Sequence, residues 1–174
     1  MREPYIAALA DLNDPAKLGA AITAAVRAER DPDQLVRYAQ LAEYRRQPQA
    51  AAQAWAAVLA VDPNHPLALK QAGAIAFAAG RLDDAEKHFS RLLSAQQGDF
   101  ESNQLYAELL TARKKDGAEV YYRRALDQLA KTSQRTEASY LAEARIRARI
   151  KDPAGVSAVF DKLLKEHPAN PRLR

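Results

Sequence analysis

A constant spacing of 34 residues links positions of the same chemical type in the middle of this 174-residue chain. Three small residues, Ala39, Gly73 and Ala107, keep this spacing. Two large aromatic residues, Trp55 and Phe89, keep the same step. A period of this length is typical of stacked supersecondary units, each of which buries its apolar face against its neighbours. The spacing therefore predicts a repeat architecture.

Each unit reads as two helices. In the unit at 32–65, apolar residues at helical spacing lie in both halves, and Pro48 breaks the run between them. In the following unit, 66–99, Gly80 suits the left-handed conformation that ends a first helix. Asp31 and Asp83 are expected to cap the helices that follow them.

The third and fourth units are less regular. Between the second helices of 66–99 and 100–135 the step falls to 33, which predicts a shorter turn before Ala118. In 136–170, a helix at 136–150 is expected to turn one set of apolar residues inward: Ala138, Leu141, Ala144 and Ala148. A second helix starts after Asp152, and its predicted inner residues are Val156, Phe160, Leu163 and Leu164.

The two ends of the chain complete the array. Residues 1–31 form an atypical unit, with a short helix around Tyr5, Leu9 and Leu12 and a second helix capped by Asp14. Residues 167–174 echo the segment that leads into the unit at 66–99. We therefore expect one domain over 1–174 that is a segment of a longer array.

The repeat positions resemble the tetratricopeptide repeat (TPR) family. The residues that carry the resemblance are Ala39, Ala51, Trp55, Pro63, Gly73, Ala85, Phe89, Ala107, Tyr122 and Phe160. The family's exit proline is replaced by Gln97 in one unit, and under some registers Arg145 or Arg147 intrudes on the packing face of the fourth. The resemblance implies an all-α fold, a right-handed α-solenoid of antiparallel helix pairs with about four to five repeats and roughly ten helices.

The resemblance also implies a binding groove lined by the first helix of each pair. The residues expected to face it are Gln40, Glu43, Tyr44, Lys70, Phe77, Gln104 and Glu108. Tyr44 and Phe77 are candidate aromatic anchors for a peptide or helix, although aromatic residues at helical spacing can instead pack between repeats.

One family function is not supported. Members that grip the C-terminal carboxylate of heat-shock chaperones use Lys, Asn and Arg in the groove. The corresponding residues here are Val36, Gln40, Gln71, Glu101 and Leu105, and Glu101 would repel a carboxylate. This argues against a chaperone tail as partner.

Nucleic-acid binding and catalysis have little support. Arg145 and Arg149 share one helix face but lie apart from Arg147 and Lys151, so a solvated helix is favoured over a phosphate-binding stripe. The chain has no cysteine, and its three histidines form no pair spaced for a metal. We expect no metal, no cofactor and no enzymatic activity. No apolar run approaches the length of a membrane span, and no signal peptide is visible.

The first hypothesis is therefore a scaffold that binds a peptide or protein partner, whose identity the sequence does not give, in a bacterial multi-protein assembly. The alternatives are a spacer or periplasmic scaffold segment of an envelope or exopolysaccharide export machine, and a regulatory domain of a larger enzyme. The sequence does not settle the compartment, and the bacterial cytoplasm and periplasm both stay open. Exposed terminal repeats would favour self-association.

Overall fold

The computed structural model describes residues 14–95, 98–133 and 135–166. These residues form helices joined by turns, and they contain no strand. In chain order the helices are α1 (Pro15–Ala28), α2 (Pro32–Tyr44), α3 (Pro48–Val61), α4 (Pro66–Ala78), α5 (Leu82–Ser94), α6 (Phe100–Ala112), α7 (Ala118–Ala130), α8 (Glu137–Arg149) and α9 (Pro153–Glu166). The predicted helix around Tyr5, Leu9 and Leu12, the exit position Gln97 and the segment 167–174 lie outside the described residues.

Prolines and short polar residues set the helix starts. Five helices begin at proline, where the missing N–H costs no hydrogen bond: Pro15, Pro32, Pro48, Pro66 and Pro153. Asp14 and Asp31 cap α1 and α2, as predicted, through hydrogen bonds of 3.1 and 2.9 Å from backbone N–H groups. The predicted cap at Asp83 is wrong. Helix α5 already begins at Leu82, so Asp83 lies in its first turn, where its charge favours the helix dipole.

The four first helices, α2, α4, α6 and α8, end in the same way. Each is followed by a residue with positive φ: Arg46 (54°), Gly80 (72°), Lys114 (53°) and Lys151 (59°). After α4, the Gly80 N–H donates to Phe77 O at 3.0 Å and the next N–H donates to Ala76 O at 2.9 Å. This is a Schellman motif, and the other three ends repeat it. The first three of these residues are 34 apart, so the backbone carries the sequence period.

Four hairpins result, because α2 packs on α3, α4 on α5, α6 on α7 and α8 on α9. The small residues Ala39, Gly73 and Ala107 are buried in first helices, and the large residues Trp55, Phe89 and Tyr122 are buried in second helices. A Cβ atom at Gly73 would lie only 2.9 Å from Cε1 of the buried Phe89 ring. The close approach of the two helices therefore depends on the absence of a side chain at this position.

The chain divides into two compact units, Met1–Gln97 and Gly98–Arg174. In the first, α1 packs against α2 and α3, and α3 packs against α4, around one apolar cluster that includes Ile22 and Trp55. In the second, the described residues include a cluster around Tyr122 and another around Tyr140. A single domain over 1–174 stays a prediction.

The turn before α7 differs from the expectation of a shorter connection. Five residues, 113–117, separate α6 from α7, whereas three residues, 79–81, separate α4 from α5. One residue fewer does lie between the repeat positions, but α7 starts only at Ala118 because Gly117 has a φ of +92°. A residue in this left-handed conformation cannot belong to a right-handed helix.

The inner faces of α8 and α9 also differ from the prediction. In α9, Val159 and Leu163 are buried, while Phe160 is 40% and Leu164 41% exposed. In α8 the buried residues are Tyr140, Glu143, Ala144 and Ile146, Leu141 is half-buried, and Ala138 and Ala148 are exposed. Tyr140 and Ile146 bury more apolar area than alanines can, so they take the interior. One residue corresponds to about 100° of helix rotation, which is why a shift from Phe160 to Val159 turns the aromatic ring outward.

Candidate partner-binding surfaces

Helix α2 carries the most exposed of the predicted groove residues. Tyr44 is 80% exposed at the end of the helix, and the Arg45 guanidinium lies 5.5 Å from the centre of its ring. Gln40 lies one turn earlier and is also exposed. Tyr44 and Gln40 therefore share an accessible helix face, because residues four apart are neighbours on a helix.

Glu43 has a different position from the one predicted. It is half-buried, and its Oε1 accepts a hydrogen bond of 2.8 Å from Nε1 of the buried Trp55. The carboxylate thus satisfies the only polar atom of the Trp55 side chain, which could not otherwise be buried without a cost in free energy. We conclude that Glu43 is a structural residue of the α2–α3 hairpin.

The remaining groove residues lie on α4 and α6. Lys70 and Phe77, on α4 in the first unit, are half-buried. Gln104 and Glu108, on α6 in the second unit, are half-buried as well, and Gln104 Nε2 donates to Glu108 Oε1 at 2.9 Å. Each pair therefore belongs to its own unit.

The position of Glu43 recurs as Phe77 and Thr111, each 34 residues further on. Its partner position carries Trp55, then Phe89, then Tyr122. The Thr111 hydroxyl donates to Ala107 O at 2.8 Å. Burial raises the pKa of the buried Tyr122 hydroxyl, and a hydrogen bond with Thr111 offsets part of that rise.

Two of the arginines of α8 are solvent-facing and a third is not. Arg145 and Arg149 are exposed on one face, as predicted from their spacing. Arg147 lies in an ion-pair network: its Nε contacts Glu143 Oε1 at 2.8 Å, and its Nη1 contacts Asp152 Oδ2 at 2.7 Å. Glu143 is buried, and its other oxygen accepts from Arg135 Nη2 at 2.7 Å.

This network connects α8 to the start of α9. Burial by itself would raise the pKa of Glu143, but the hydrogen bonds from Arg147 and Arg135 outweigh it and lower that pKa. Asp152 also accepts a hydrogen bond from the Gly155 N–H at 2.9 Å, which caps α9. A Cβ atom at Gly155 would lie 2.6 Å from Arg147 Nη1, so the network occupies the space beside this glycine.

Sequence reasoning did not identify a groove of about 490 Å³ in the first unit. Its walls come from α3, α4 and the turn and first residues of α5, and the lining residues are Ala52, Gln53, Ala56, Leu59, Ala60, Ala72, Ile75, Ala76, Arg81, Asp84 and His88. Burial lowers the pKa of His88. The alanine-rich face of α3 is the sequence feature that could have indicated this groove, but the same pattern is equally typical of ordinary helix packing.

The described residues hold no group of three or more His, Cys, Asp or Glu side chains that could bind a metal ion. Within the same ranges, no helix is both long enough and apolar enough to cross a membrane. The described surfaces offer an exposed tyrosine on α2 and a groove lined mostly by apolar residues in the first unit.

Known proteins share this fold. A family model described as a tetratricopeptide repeat matches residues 44–109. A solved tetratricopeptide repeat protein from Parabacteroides merdae superposes with a TM-score of 0.70 at 14% identity, over 99% of this chain and 68% of its own. MamA from Desulfovibrio magneticus superposes with a TM-score of 0.66 at 14% identity, over 98% of this chain and 95% of its own. YrrB is described as a TPR protein with an unusual peptide-binding site. It superposes with a TM-score of 0.51 at 16% identity, over 88% of this chain and 95% of its own.

No curated protein sequence matches the chain significantly. At such low identities the solved structures show a common fold and leave function open. The repeat signature, the four hairpins, the family match and the structural neighbours agree with one another. Residues 44–109 match the tetratricopeptide repeat family, and the described residues have the all-α fold of helix pairs that the solved tetratricopeptide repeat structures share.

Proposed function

We propose that this protein is a binding module that holds a peptide or protein partner on the exposed face of α2, the first helix of its first hairpin, within a bacterial multi-protein assembly. The TPR fold supports an interaction scaffold in general terms, and one solved neighbour is described as having a peptide-binding site. Another, PilW, is described as a type IV pilus biogenesis factor and has a TM-score of 0.51.

The observation that carries the proposal is the exposure of Tyr44. A tyrosine ring that is 80% exposed leaves a large apolar area in water, and a partner that covers it gains the corresponding free energy. Tyrosine is enriched among the residues that dominate binding energy. The exposed amide of Gln40 on the same face can hydrogen-bond the polar groups of a partner.

A peptide selection tests the proposal. Random peptides displayed on phage are selected on the immobilised wild-type protein, and the enriched sequences are synthesised. Their affinities are then measured by fluorescence polarisation for three proteins: wild type, Tyr44→Ala and Val61→Ala. We expect Tyr44→Ala to weaken binding by about tenfold, which corresponds to about 1.4 kcal/mol.

Val61→Ala is the matched control. Val61 is also apolar and exposed, at 44%, and belongs to the same unit, but it lies on a second helix. Its loss is expected to leave the affinity unchanged. Circular dichroism spectra of the three proteins establish that the fold is retained. Peptides that bind Tyr44→Ala as tightly as wild type would overturn the assignment of this face.

A further inference from the structure

The groove formed by α3, α4 and α5 in the first unit is apolar on its α3 side and charged on its α5 side. It has a volume of about 490 Å³, which lies within the range of about 300–1,000 Å³ that is typical of ligand sites. Its larger apolar residues are Leu59 and Ile75. Ala52, Ala56 and Ala60 line it at intervals of four residues, so the groove follows α3 for about two helical turns.

The three alanines of α3 occupy positions that are polar in the next two second helices. The corresponding residues, 34 and then a further 33 positions along the chain, are Glu86, Ser90 and Ser94 in α5 and Glu119, Arg123 and Asp127 in α7. Packing of one hairpin on the next therefore does not require apolar residues here. Ala56 and Ala60 are nevertheless exposed, and α3 contains no charged residue. A solvated helix face is normally polar, so this exposed apolar face needs another explanation.

The charges beside the groove come from α5, and cations predominate among them. Arg81 and Asp84 line the groove, and their side chains are 3.5 Å apart. Lys87 lies 3.9 Å from the same carboxylate group. The Nε atom of Arg91 donates to Asn64 Oδ1 at 2.8 Å, so this guanidinium lies beside the turn that follows α3. The four charged residues are spaced by three or four positions and share one side of α5, where three cations face one anion.

His88 adds hydrogen-bonding capacity to the groove without adding charge. Its half-buried ring belongs to the lining. Burial lowers the pKa of His88 below its ordinary value of 6.5, so the ring is neutral at pH 7. A molecule that enters the groove therefore meets an apolar wall on α3 and α4, a neutral imidazole and a positively charged edge on α5.

We propose that this groove binds an acidic amphipathic helix of a partner protein. Apolar side chains that recur every three or four residues over two turns would pack on Leu59, Ile75 and the alanines, whose small size allows the helix axes to approach closely. Carboxylates beside this stripe would face the three cations of α5, whereas a basic helix would be repelled by them. The inference goes beyond the proposed function, because this surface contains two second helices and does not include Tyr44.

Synthetic helices test the groove without a natural partner. The acidic probe is a hydrocarbon-stapled peptide of about four turns, with leucine at positions i, i+4 and i+7 and glutamate on both flanks. A second probe has lysine in place of every glutamate, and a third has the composition of the first with its leucines spread around the helix. Fluorescence polarisation measures the three affinities. We expect the acidic probe to bind with a Kd of about 10 μM, at least about tenfold tighter than the other two.

Two substitutions test whether the probe occupies the groove. Ala56→Glu places a negative side chain on the α3 wall and should weaken the acidic probe by at least about tenfold. Ala24→Glu, at an exposed alanine of α1 in the same unit, is the matched control and should change nothing. Arg81→Glu should weaken the acidic probe by about fivefold and tighten the lysine probe. Loss of folding cannot produce such a reversal.

The proposal would be overturned if the acidic probe showed no saturable binding, or if the lysine probe or the rearranged probe bound as tightly. Unchanged affinity for Ala56→Glu or Arg81→Glu would also contradict it. Tyr44→Ala should bind the acidic probe as wild type does, and a weaker affinity would place the probe on α2 and refute the assignment to this groove. The peptides selected for the Tyr44 face are different molecules, so failure of either experiment leaves the other unaffected.

Discussion

Gly73 illustrates how one residue sets the distance between two helices. In the other two regular hairpins an alanine holds the equivalent position, at Ala39 and Ala107. At Gly73 the Phe89 ring fills the space that a methyl group would need, with Cε1 2.9 Å and Cζ 3.0 Å from an added Cβ. The position thus requires a small residue in every unit, and in this unit the smallest.

A Gly73→Ala substitution tests this packing. Alanine favours the helical conformation by about 1 kcal/mol, but overpacking a closed core costs about 1–3 kcal/mol. We expect a net loss in the free energy of unfolding of about 1 kcal/mol, measured by urea denaturation. Combining Gly73→Ala with Phe89→Leu should cost less than the sum of the two single changes. A Gly73→Ala protein more stable than wild type would contradict the close contact.

Single residues also mark where sequence reasoning stops. The exposure of Tyr44 was expected from its place on the first helix, and the burial of Trp55 from its place in the repeat. The hydrogen bond from Trp55 to Glu43 could not be predicted, because a polar residue at helical spacing gives the same sequence pattern whether it faces solvent or a buried N–H.

At the scale of the element, the ends of the first helices are alike although their residues differ. Gly80 takes the left-handed conformation at little cost, since it has no Cβ. Arg46, Lys114 and Lys151 take the same conformation with a side chain, and all three are exposed. The surrounding hydrogen bonds therefore hold these residues in a backbone region that costs about 1–2 kcal/mol outside glycine.

Replacing Lys114 with glycine should relieve this strain. Glycine gains conformational freedom in the unfolded chain, which offsets part of the benefit, so we expect Lys114→Gly to raise the free energy of unfolding by about 0.5–1 kcal/mol. The reverse change, Gly80→Ala, is the natural counterpart and should lower it by about 1 kcal/mol. Chemical denaturation measures both. If Lys114→Gly lost stability, the contacts of the lysine side chain would outweigh the backbone term.

The helix boundaries that the sequence predicted best are those with a strong local signal. Proline and aspartate placed the starts of α1 and α2, and Gly80 placed the end of α4. The inner face of α9 was missed by one residue because Val156, Val159, Phe160, Leu163 and Leu164 allow two apolar stripes. The choice between them is made by long-range contacts with α8, for example the bond of 2.6 Å from the Tyr140 hydroxyl to Glu166.

At the scale of the whole molecule, two groups of titratable residues connect stability to pH. Burial lowers the pKa of His88 below its ordinary value of 6.5. The pKa values of Asp14 and Asp152 lie below 3.8 because backbone N–H groups and a cationic side chain hydrogen-bond their charged forms. Burial by itself would raise the pKa of Glu143, but the hydrogen bonds from Arg147 and Arg135 outweigh burial and hold that pKa below 4.5.

The folded-state pKa values of all four groups lie below their ordinary values, so each group changes the stability in the same direction with pH. The stability is at its full value above the ordinary pKa of each group and decreases as the pH falls, because the unfolded chain takes up protons first. We expect the thermal midpoint to decrease in two stages, from about pH 7 to 5 through His88 and below about pH 4.5 through the carboxylates.

A His88→Asn variant separates the stages. It should lose the decrease between about pH 7 and 5 and keep the decrease at lower pH. The measurement is a series of thermal unfolding curves followed by circular dichroism. A wild-type midpoint that stayed constant from pH 7 to 5 would show that burial of His88 does not change its titration.

Trp55 gives the molecule an optical property that follows from its position. It is the only tryptophan in the chain, it is fully buried, and its indole N–H is bonded to a carboxylate. Intrinsic fluorescence excited at the indole absorption edge therefore originates from the α2–α3 hairpin alone, whereas the far-ultraviolet dichroism sums over every helix. A native protein reports in this way on one of its repeats without any label, and the two signals together can distinguish fraying of a single repeat from melting of the entire array.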